Sequence, residues 1–142
     1  MAEKKMRLKI ITPKKIKLDE DVHMVIMRSI TGDIGILPGH EPYSVILDYG
    51  VLRIQDSNNE RSLAVYGGLA VMRDNVLTIL TEDAEWPDEI NAAHAELNRE
   101  QAEQRLREKL DDMEIQNDQV LLRRALVQIE VSSSLIASQD KD

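Results

Sequence analysis

Asp33, His40 and Glu41 are the residues of this chain whose types and spacing come closest to a catalytic or metal-binding group. A histidine with two carboxylates can supply metal ligands or an acid/base pair. Their spacing, however, matches no helical i, i+4 pair of ligands, and Pro38 and Pro42 stiffen the backbone between and beyond them. The other interpretation is that the carboxylates are solvated turn residues and that His40 donates a hydrogen bond that holds a loop. We favour this second interpretation and keep a stand-alone metal-dependent enzyme or binding module as the alternative function.

The three residues lie in the segment Gly32–Pro42, which contains half of the chain's six glycines and half of its four prolines. Both residue types break helices, so the segment predicts an ordered loop with a defined path. Pro38 and Gly39 suit the two central positions of a type II turn, because the first position needs a fixed φ and the second a positive one.

The composition limits the possible functions of the 142 residues. A net charge of −8 argues against a nucleic-acid backbone as the main partner, and the absence of cysteine excludes disulfides, thiolate nucleophiles and zinc–thiolate sites. No apolar run is long enough to span a membrane, and no signal-peptide core follows the first residues. We therefore expect a soluble globular protein.

Glycine and proline divide the chain into two predicted domains, 1–86 and 87–142. All glycines lie at or before Gly68 and all prolines at or before Pro87, so the last 55 residues contain neither. The first domain has 11 Lys and Arg against 13 Asp and Glu, a net charge of −2, whereas the second has 7 against 13, a net charge of −6. Such a shift in composition is typical of two architectural units.

The first domain reads as β structure. Apolar and basic residues alternate with period two over Met6–Ile10, as in a half-buried strand. Further strands are expected over 22–28 and in two hairpins, one pairing 50–54 with 61–66 across 56–60 and the other pairing 68–72 with 76–80 across 73–75. Short strands separated by turn residues predict an antiparallel β-sandwich or barrel.

The second domain reads as an antiparallel two-helix hairpin, so the fold class is mainly β plus α. Asp88 is the expected N-cap of the first helix, and Asp111-Asp112 and Asn117-Asp118 are expected to mark the turn. The predicted second helix, 120–137, has two apolar faces, one made by Leu122, Ala125, Ile129 and Ile136 and the other by Val120, Val127, Val131 and Leu135. The alternating residues 127–131 leave a strand open, but we favour helix because the preceding residues continue it.

Gly35-Ile36-Leu37-Pro38-Gly39-His40-Glu41-Pro42 resembles the G-hydrophobic-x-P-G-H-x-P motif of the epsilon subunit of F-type ATP synthases. Gly67-Gly68-Leu69-Ala70-Val71 and the stretch 76–85 are similar to further blocks of that family. The resemblance covers nearly the whole chain in order, including the division into a sandwich and a helical hairpin.

The resemblance implies a non-catalytic rotor subunit of the central stalk, without a cofactor, that couples the gamma subunit to the membrane c ring during ion-driven ATP synthesis. The implied location is the cytoplasmic face of the bacterial plasma membrane, peripheral and without insertion, or its organelle equivalent. The loop then becomes a surface that contacts the c ring or gamma, with these candidate residues: Gly32, Asp33, Ile34, Gly35, Pro38, His40 and Pro42.

The resemblance also implies that the hairpin can extend towards the catalytic alpha/beta head and inhibit ATP hydrolysis. Arg123 and Arg124 are candidates for a transient contact with the head, although they can equally be solvated surface residues. After Arg124 the next basic residue is Lys141, so long-range attraction to an acidic partner is weak.

Some bacterial members of the family bind ATP through a motif of the type Ile/Leu-Asp-x-x-Arg-Ala. The matching stretch here is Ile90-Asn91-Ala92-Ala93-His94-Ala95, so Asn91 replaces the aspartate and His94 the arginine. An asparagine lacks the charge, and a neutral imidazole cannot form the guanidinium fork. We expect weak or no ATP binding.

Overall fold

The computed structural model describes residues 4–108 and 112–140. The chain divides into a β unit that ends at Glu85 and a helical unit that begins at Trp86. The predicted fold class, a β-sandwich followed by two helices, is confirmed. None of the described helices is long and apolar enough to cross a membrane.

The β unit contains one mixed sheet of eight strands in the order β2-β1-β7-β6-β5-β3-β4, with β8 pairing on β6. All pairs are antiparallel except β1 with β7, which is parallel. The strands are β1 Met6–Ile11, β2 Ile16–Val22, β3 Met24–Ser29, β4 Gly32–Ile36, β5 Tyr43–Asp56, β6 Asn59–Arg73, β7 Val76–Leu80 and β8 Ala84–Glu85.

The core of the β unit follows from the alternation of apolar residues along the strands. Every second side chain points inward, and the largest of those that are fully buried are Met6, Leu8, Ile10, Val22, Met27, Ile36, Leu52, Ile54, Leu63, Met72, Leu77 and Ile79. The long strand β6 bends at Gly67 and Gly68, whose φ angles are +75° and +126°. A Cβ at Gly68 would lie 2.0 Å from the carbonyl oxygen of Leu80, so only glycine fits there.

The structure corrects the predicted path between β3 and β5. Gly32–Ile36 is the strand β4, not part of a loop, because its backbone pairs with β3 from Ser29↔Gly32 to Val25↔Ile36. Only residues 37–42 form the loop. The two predicted hairpins are present, but they share the single long strand β6, and the charged strand β2 was not predicted.

The helical unit contains a 3-10 turn, Pro87–Glu89, followed by α1, Ala92–Arg107, and α2, Asp112–Asp140. Because α1 and α2 pack against each other across a short connection, they form an antiparallel hairpin. The predicted N-cap is wrong: Asp88 lies in the 3-10 turn, and α1 is capped by Asn91.

The second helix is longer than its sequence predicts. Asn117 and Asp118 lie inside α2 and do not mark a turn, while Asp111 is outside the described residues. Residues 127–131 are helical, as favoured.

The residues of the two predicted apolar faces of α2 differ in how far they are buried. Ala125, Val127 and Val131 are buried, Leu122 and Ile129 are half-buried and Val120 is exposed, while the side chains of Leu135 and Ile136 lie outside the described residues. On α1 the buried side chains are only Ala95 and Ala102, seven residues apart. Asp118, Ala125 and Ser132 repeat this spacing on α2, so small side chains predominate in the buried positions of the hairpin.

Candidate interaction site

The predicted contact residues fall into two groups at different places in the β unit. Gly32, Asp33, Ile34 and Gly35 lie in β4, whereas Pro38, His40 and Pro42 lie in the loop that follows it. Four steps of about 3.3 Å separate the two ends of β4, so Gly32 is about 13 Å from Ile36, the last residue before the loop. The structure therefore does not bring Asp33 next to His40 as a pair of ligands or an acid/base pair.

Asp33 is exposed and lies directly opposite Arg28 in the register of β3 and β4. The Nε atom of Arg28 is 3.6 Å from the Oδ1 atom of Asp33, and both side chains are partly exposed. The turn before β4 is held by Ser29, whose buried hydroxyl donates to the carbonyl of Gly32 at 2.7 Å and accepts from the N–H of Thr31 at 3.1 Å. Asp33 is thus presented from a fixed hairpin, with its charge partly balanced by a surface ion pair.

The loop 37–42 contains the turn that its sequence predicts. Gly39 has a φ of +80°, and the N–H of His40 donates to the carbonyl of Leu37 at 3.1 Å. Both features are those of a type II turn with Pro38 and Gly39 at its centre. The predicted turn is confirmed.

A residue that sequence reasoning missed, Asn75, ties this loop to the rest of the sandwich. Its Oδ1 atom accepts from the N–H of Gly39 at 2.9 Å, and its Nδ2 atom donates to the carbonyl of Lys5 at 2.8 Å. The sequence marked Asn75 only as part of the turn between β6 and β7, because nothing local indicates a partner 36 residues away.

His40 has a structural contact for its Nδ1 atom, which lies 2.7 Å from the carbonyl oxygen of Glu41. A carbonyl can only accept, so Nδ1 carries the proton and donates. The ring also packs edge-on against Tyr43, with 5.8 Å between centroids. Among the described residues no three His, Cys, Asp or Glu side chains lie close enough to hold a metal ion.

The most exposed apolar surface of the β unit is a continuous row that sequence reasoning also missed. Six residues follow one another across the sheet, and we call them the outer apolar row: Ile30, Ile46, Leu69, Leu80, Ile11 and Ile16. The N–H of Ile30 donates to the carbonyl of Ile46 at 3.1 Å, and the other neighbours are register partners. Register partners point to the same face of a sheet, so the side chains form one strip.

Exposure distinguishes this strip from the core. Ile30 is 61% exposed, Ile46 56%, Leu69 39%, Leu80 44% and Ile16 61%, while Ile11 is half-buried. A contiguous apolar strip that is exposed to water on a folded domain is typical of an interaction surface. The sequence did contain a signal. Apolar residues occur at outward-facing positions of β5, β6 and β7, where the alternation with the buried core residues predicts polar side chains.

In the helical unit, Asn91 accepts a hydrogen bond from the N–H of His94 at 3.0 Å, as an N-cap does. Asn91 therefore caps the first turn of α1. On α2, Arg123 is exposed, whereas Arg124 is half-buried and already has an interaction partner.

Arg99 donates to Glu96 at 2.8 Å and to Glu103 at 3.0 Å on the surface of α1. These hydrogen bonds, the one to Glu96 first, raise the pKa of Arg99 above its ordinary value. The hydrogen bond from Arg99 lowers the pKa of Glu96. On this face of α1 the guanidinium of Arg99 is thus paired with two carboxylates.

Comparison with known proteins assigns both units to one class of protein. Residues 5–87 match the family described as "ATP synthase, Delta/Epsilon chain, beta-sandwich domain", and residues 88–133 match "ATP synthase, Delta/Epsilon chain, long alpha-helix domain". The chain is 36% identical over 132 residues to the ATP synthase epsilon chain of Caldicellulosiruptor bescii, covering 93% of this chain and 95% of that one. It is 34% identical to the epsilon chain of Bacillus velezensis, covering 92% and 99%.

The fold is also similar to solved structures. A chain of the Euglena gracilis mitochondrial ATP synthase structure containing OSCP, F1 and the c ring matches with a TM-score of 0.79 and 21% identity, over 93% of this chain and 81% of that one. A chain of the Tetrahymena thermophila central stalk and c ring matches with a TM-score of 0.54 and 21% identity, over 65% and 74%. The fold and the matches over both units define a delta/epsilon chain of an ATP synthase. In particular, the chain belongs to the family of epsilon subunits of F-type ATP synthases.

Proposed function

We propose that this chain is a non-catalytic rotor subunit of the central stalk, which couples the gamma subunit to the membrane c ring during ion-driven ATP synthesis. Family membership supports this proposal, and so does the likeness of the fold to a chain from a structure of a central stalk with its c ring. The proposed location is the cytoplasmic face of the bacterial plasma membrane, as a peripheral subunit.

The observation that carries the proposal is the outer apolar row. A strip with Ile30, Ile46 and Leu69 in water is unfavourable for a free subunit, at about 25 cal/mol for each Å² of apolar surface. A permanent interface with another soluble rotor subunit would remove this cost, because such interfaces are apolar at their centre. We therefore assign the row to the gamma subunit.

The polar contact residues suit a different neighbour. Gly32, Asp33 and Gly35 are exposed on β4, and His40 and Pro42 are exposed in the loop. The aqueous loops of a membrane ring are polar because they lie outside the lipid, so a polar surface fits them. We assign this segment, including Ile34 and Pro38, to the junction with the c ring, where a rigid turn favours the transmission of torque.

The helical hairpin has a regulatory role in this proposal, as an inhibitor of ATP hydrolysis that makes a transient contact with the alpha/beta head. Arg123 is the stronger of the two candidate contacts, because Arg124 is already engaged within the chain. Binding of ATP to the hairpin is expected to be weak or absent, because Asn91 and His94 replace a charged aspartate and an arginine. An NMR titration of the isolated subunit with micromolar ATP should leave both residues unshifted.

The alternative function, a metal-dependent enzyme or binding module that uses Asp33, His40 and Glu41, has little support from the geometry. Asp33 faces Arg28 on β4, while the Nδ1 atom of His40 donates to a backbone carbonyl. An activity that is lost in His40→Ala without any partner subunit present would favour the alternative.

A binding experiment tests the proposal directly. The full-length chain, immobilised, should capture a subcomplex of the gamma subunit and c ring from the same organism. Leu69→Asp should weaken capture by about 10- to 100-fold, because it places a charge at the centre of the proposed interface. The control is Leu126→Asp on α2, whose leucine is 46% exposed and lies outside the row. Equal capture by both variants would contradict the assignment of the row.

A further inference from the structure

The charge of the first strands is opposite to the charge of the chain as a whole. Between Lys4 and Leu18 there are seven basic residues and no acidic one, although the net charge of the chain is −8. These residues are Lys4, Lys5, Arg7, Lys9, Lys14, Lys15 and Lys17. Because these positive charges are concentrated in a chain that is negative overall, we ask which of them have carboxylate partners in the fold.

Two of these basic residues, Lys5 and Arg7, are paired with carboxylates on the partly exposed surface of the sheet. Arg7 pairs with Asp19 at 2.7 Å and with Asp21 at 3.3 Å. Lys5 lies 3.8 Å from Asp56. The charges of Lys5 and Arg7 are therefore partly balanced within the β unit, whereas the exposed Lys4 forms no ion pair with the described residues.

The turn between β1 and β2 differs, because its cations are not matched. Lys14 and Lys15 are exposed, and neither forms an ion pair with any residue that the structure describes. The exposed Glu82, beyond the end of β7, makes none with them either. The turn carries two positive charges in water.

This turn is also rigid. The N–H of Thr12 donates to the carbonyl of Lys15 at 2.9 Å, and the hydroxyl of Thr12 donates to the same carbonyl at 3.1 Å. Pro13 follows Thr12 and fixes the next φ angle. The two lysines are therefore held in place on a closed turn, which favours a defined contact over a mobile tail.

The position of the turn connects it with the outer apolar row. Lys15 directly precedes Ile16, the last residue of the row, which is 61% exposed and pairs with Ile11. The lysines thus stand at the rim of an apolar strip, which is the usual arrangement of charges at a protein interface. At the opposite end of the row, the basic residue near Ile30 is Arg28, whose charge is partly balanced by Asp33 at 3.6 Å.

We propose that Lys14 and Lys15 recognise acidic side chains on the protein subunit that covers the outer apolar row, and so fix the direction in which that subunit docks. The inference rests on the proposed function, since it adds a polar contact to the same interface. Rim charges of this kind accelerate association and select orientation more than they add affinity.

A lipid surface fits the observations less well than an acidic protein. Two lysines are too few for stable attachment to anionic lipid, where clusters of four to eight are typical. The net charge of −8 also repels an anionic bilayer as a whole.

The test compares charge-reversed variants of the full-length chain in binding to the gamma–c ring subcomplex. Lys14→Glu/Lys15→Glu should lower the association rate about tenfold at 50 mM salt and change the dissociation rate by less than about twofold, and the difference should shrink at 500 mM salt. The control Lys4→Glu/Arg53→Glu changes the net charge equally at exposed sites, each about 23 Å along its strand from the row. Lys14→Gln/Lys15→Gln, with half the charge change, should give an intermediate rate.

The outcomes separate this inference from the proposed function. Binding that is equal for wild type and both lysine-turn variants would overturn the inference and leave the proposed function standing. An equal loss in the control would overturn it as well, because the effect would then be one of net charge. Binding of wild type, but not of the turn variants, to vesicles of anionic lipid, with unchanged binding to the subcomplex, would overturn it in favour of a lipid contact. No binding of wild type to the subcomplex would contradict the proposed function itself.

Discussion

Replacement of Asn75 with glycine should release the loop 37–42 while leaving the β6–β7 turn intact. The side chain of Asn75 accepts from Gly39 at 2.9 Å and donates to Lys5 at 2.8 Å. Each hydrogen bond contributes about 1 kcal/mol net, so the free energy of unfolding should fall by about 1–2 kcal/mol. Residue 75 has a φ of 61°, which glycine adopts without strain, so the turn itself should persist. The melting temperature should fall by roughly 4–10 °C.

Hydrogen exchange at the amide of Gly39 measures the effect where it occurs. In Asn75→Gly this amide should exchange about 5- to 30-fold faster, which is the factor that corresponds to about 1–2 kcal/mol. The matched control is Asp74→Gly, since Asp74 has a similar φ of 52° but no tie to the loop. The reasoning is refuted if exchange at Gly39 is unchanged in Asn75→Gly, or if Asp74→Gly accelerates it equally.

Three further predictions concern stability. Gly68→Ala should destabilise the β unit by more than about 3 kcal/mol in urea unfolding, because its Cβ would lie 2.0 Å from the carbonyl of Leu80; a loss below 1 kcal/mol would contradict this packing. Asn91→Ala should cost about 1 kcal/mol and reduce helicity by circular dichroism, whereas Asn91→Asp should not, and equal loss in both would exclude a capping role. Arg99 lowers the pKa of Glu96, so this pair stabilises above pH 4.5, the ordinary value, and the stabilisation is lost as the pH falls through the lowered pKa. Glu96→Gln should therefore have a lower melting temperature than wild type at pH 7 and the same melting temperature in strong acid. A difference in melting temperature that grows in acid would contradict this pH dependence.

The local features of the fold were predictable because neighbouring residues determine them. The type II turn at Pro38 and Gly39 needs only one residue with fixed φ and one that accepts positive φ. The division between sandwich and helices follows from where glycine and proline stop. The helical state of 127–131 follows from the helix formers that precede them.

Features that depend on distant partners were not predictable. Gly32–Ile36 looks like a loop because two of its five residues are glycines, yet pairing with β3 makes it a strand. Asn75 reaches a backbone group 36 residues away, and no local pattern reports this contact. The N-cap of α1 is Asn91 and not the predicted Asp88, because Pro87–Glu89 forms a 3-10 turn before the helix begins.

The candidate site was predicted only in part. The motif around His40 identified the family, and the structure holds this residue in a defined loop. The outer apolar row escaped notice because its members lie on different strands and become neighbours only through the register of the sheet. Alternation in a single strand shows which face is apolar, but not which of the two faces a partner covers.

Ion pumping driven by ATP in membrane vesicles tests the central claim most directly. Vesicles from the same organism that lack this chain should still hydrolyse ATP but should not pump ions, because the proposed function places hydrolysis on other subunits and makes coupling depend on the intact rotor. Addition of wild-type chain should restore pumping, whereas Ile46→Asp/Leu69→Asp, which places two charges in the outer apolar row, should not restore it at the same concentration. Full pumping without the chain, or equal restoration by the double variant, would contradict a coupling role through this surface.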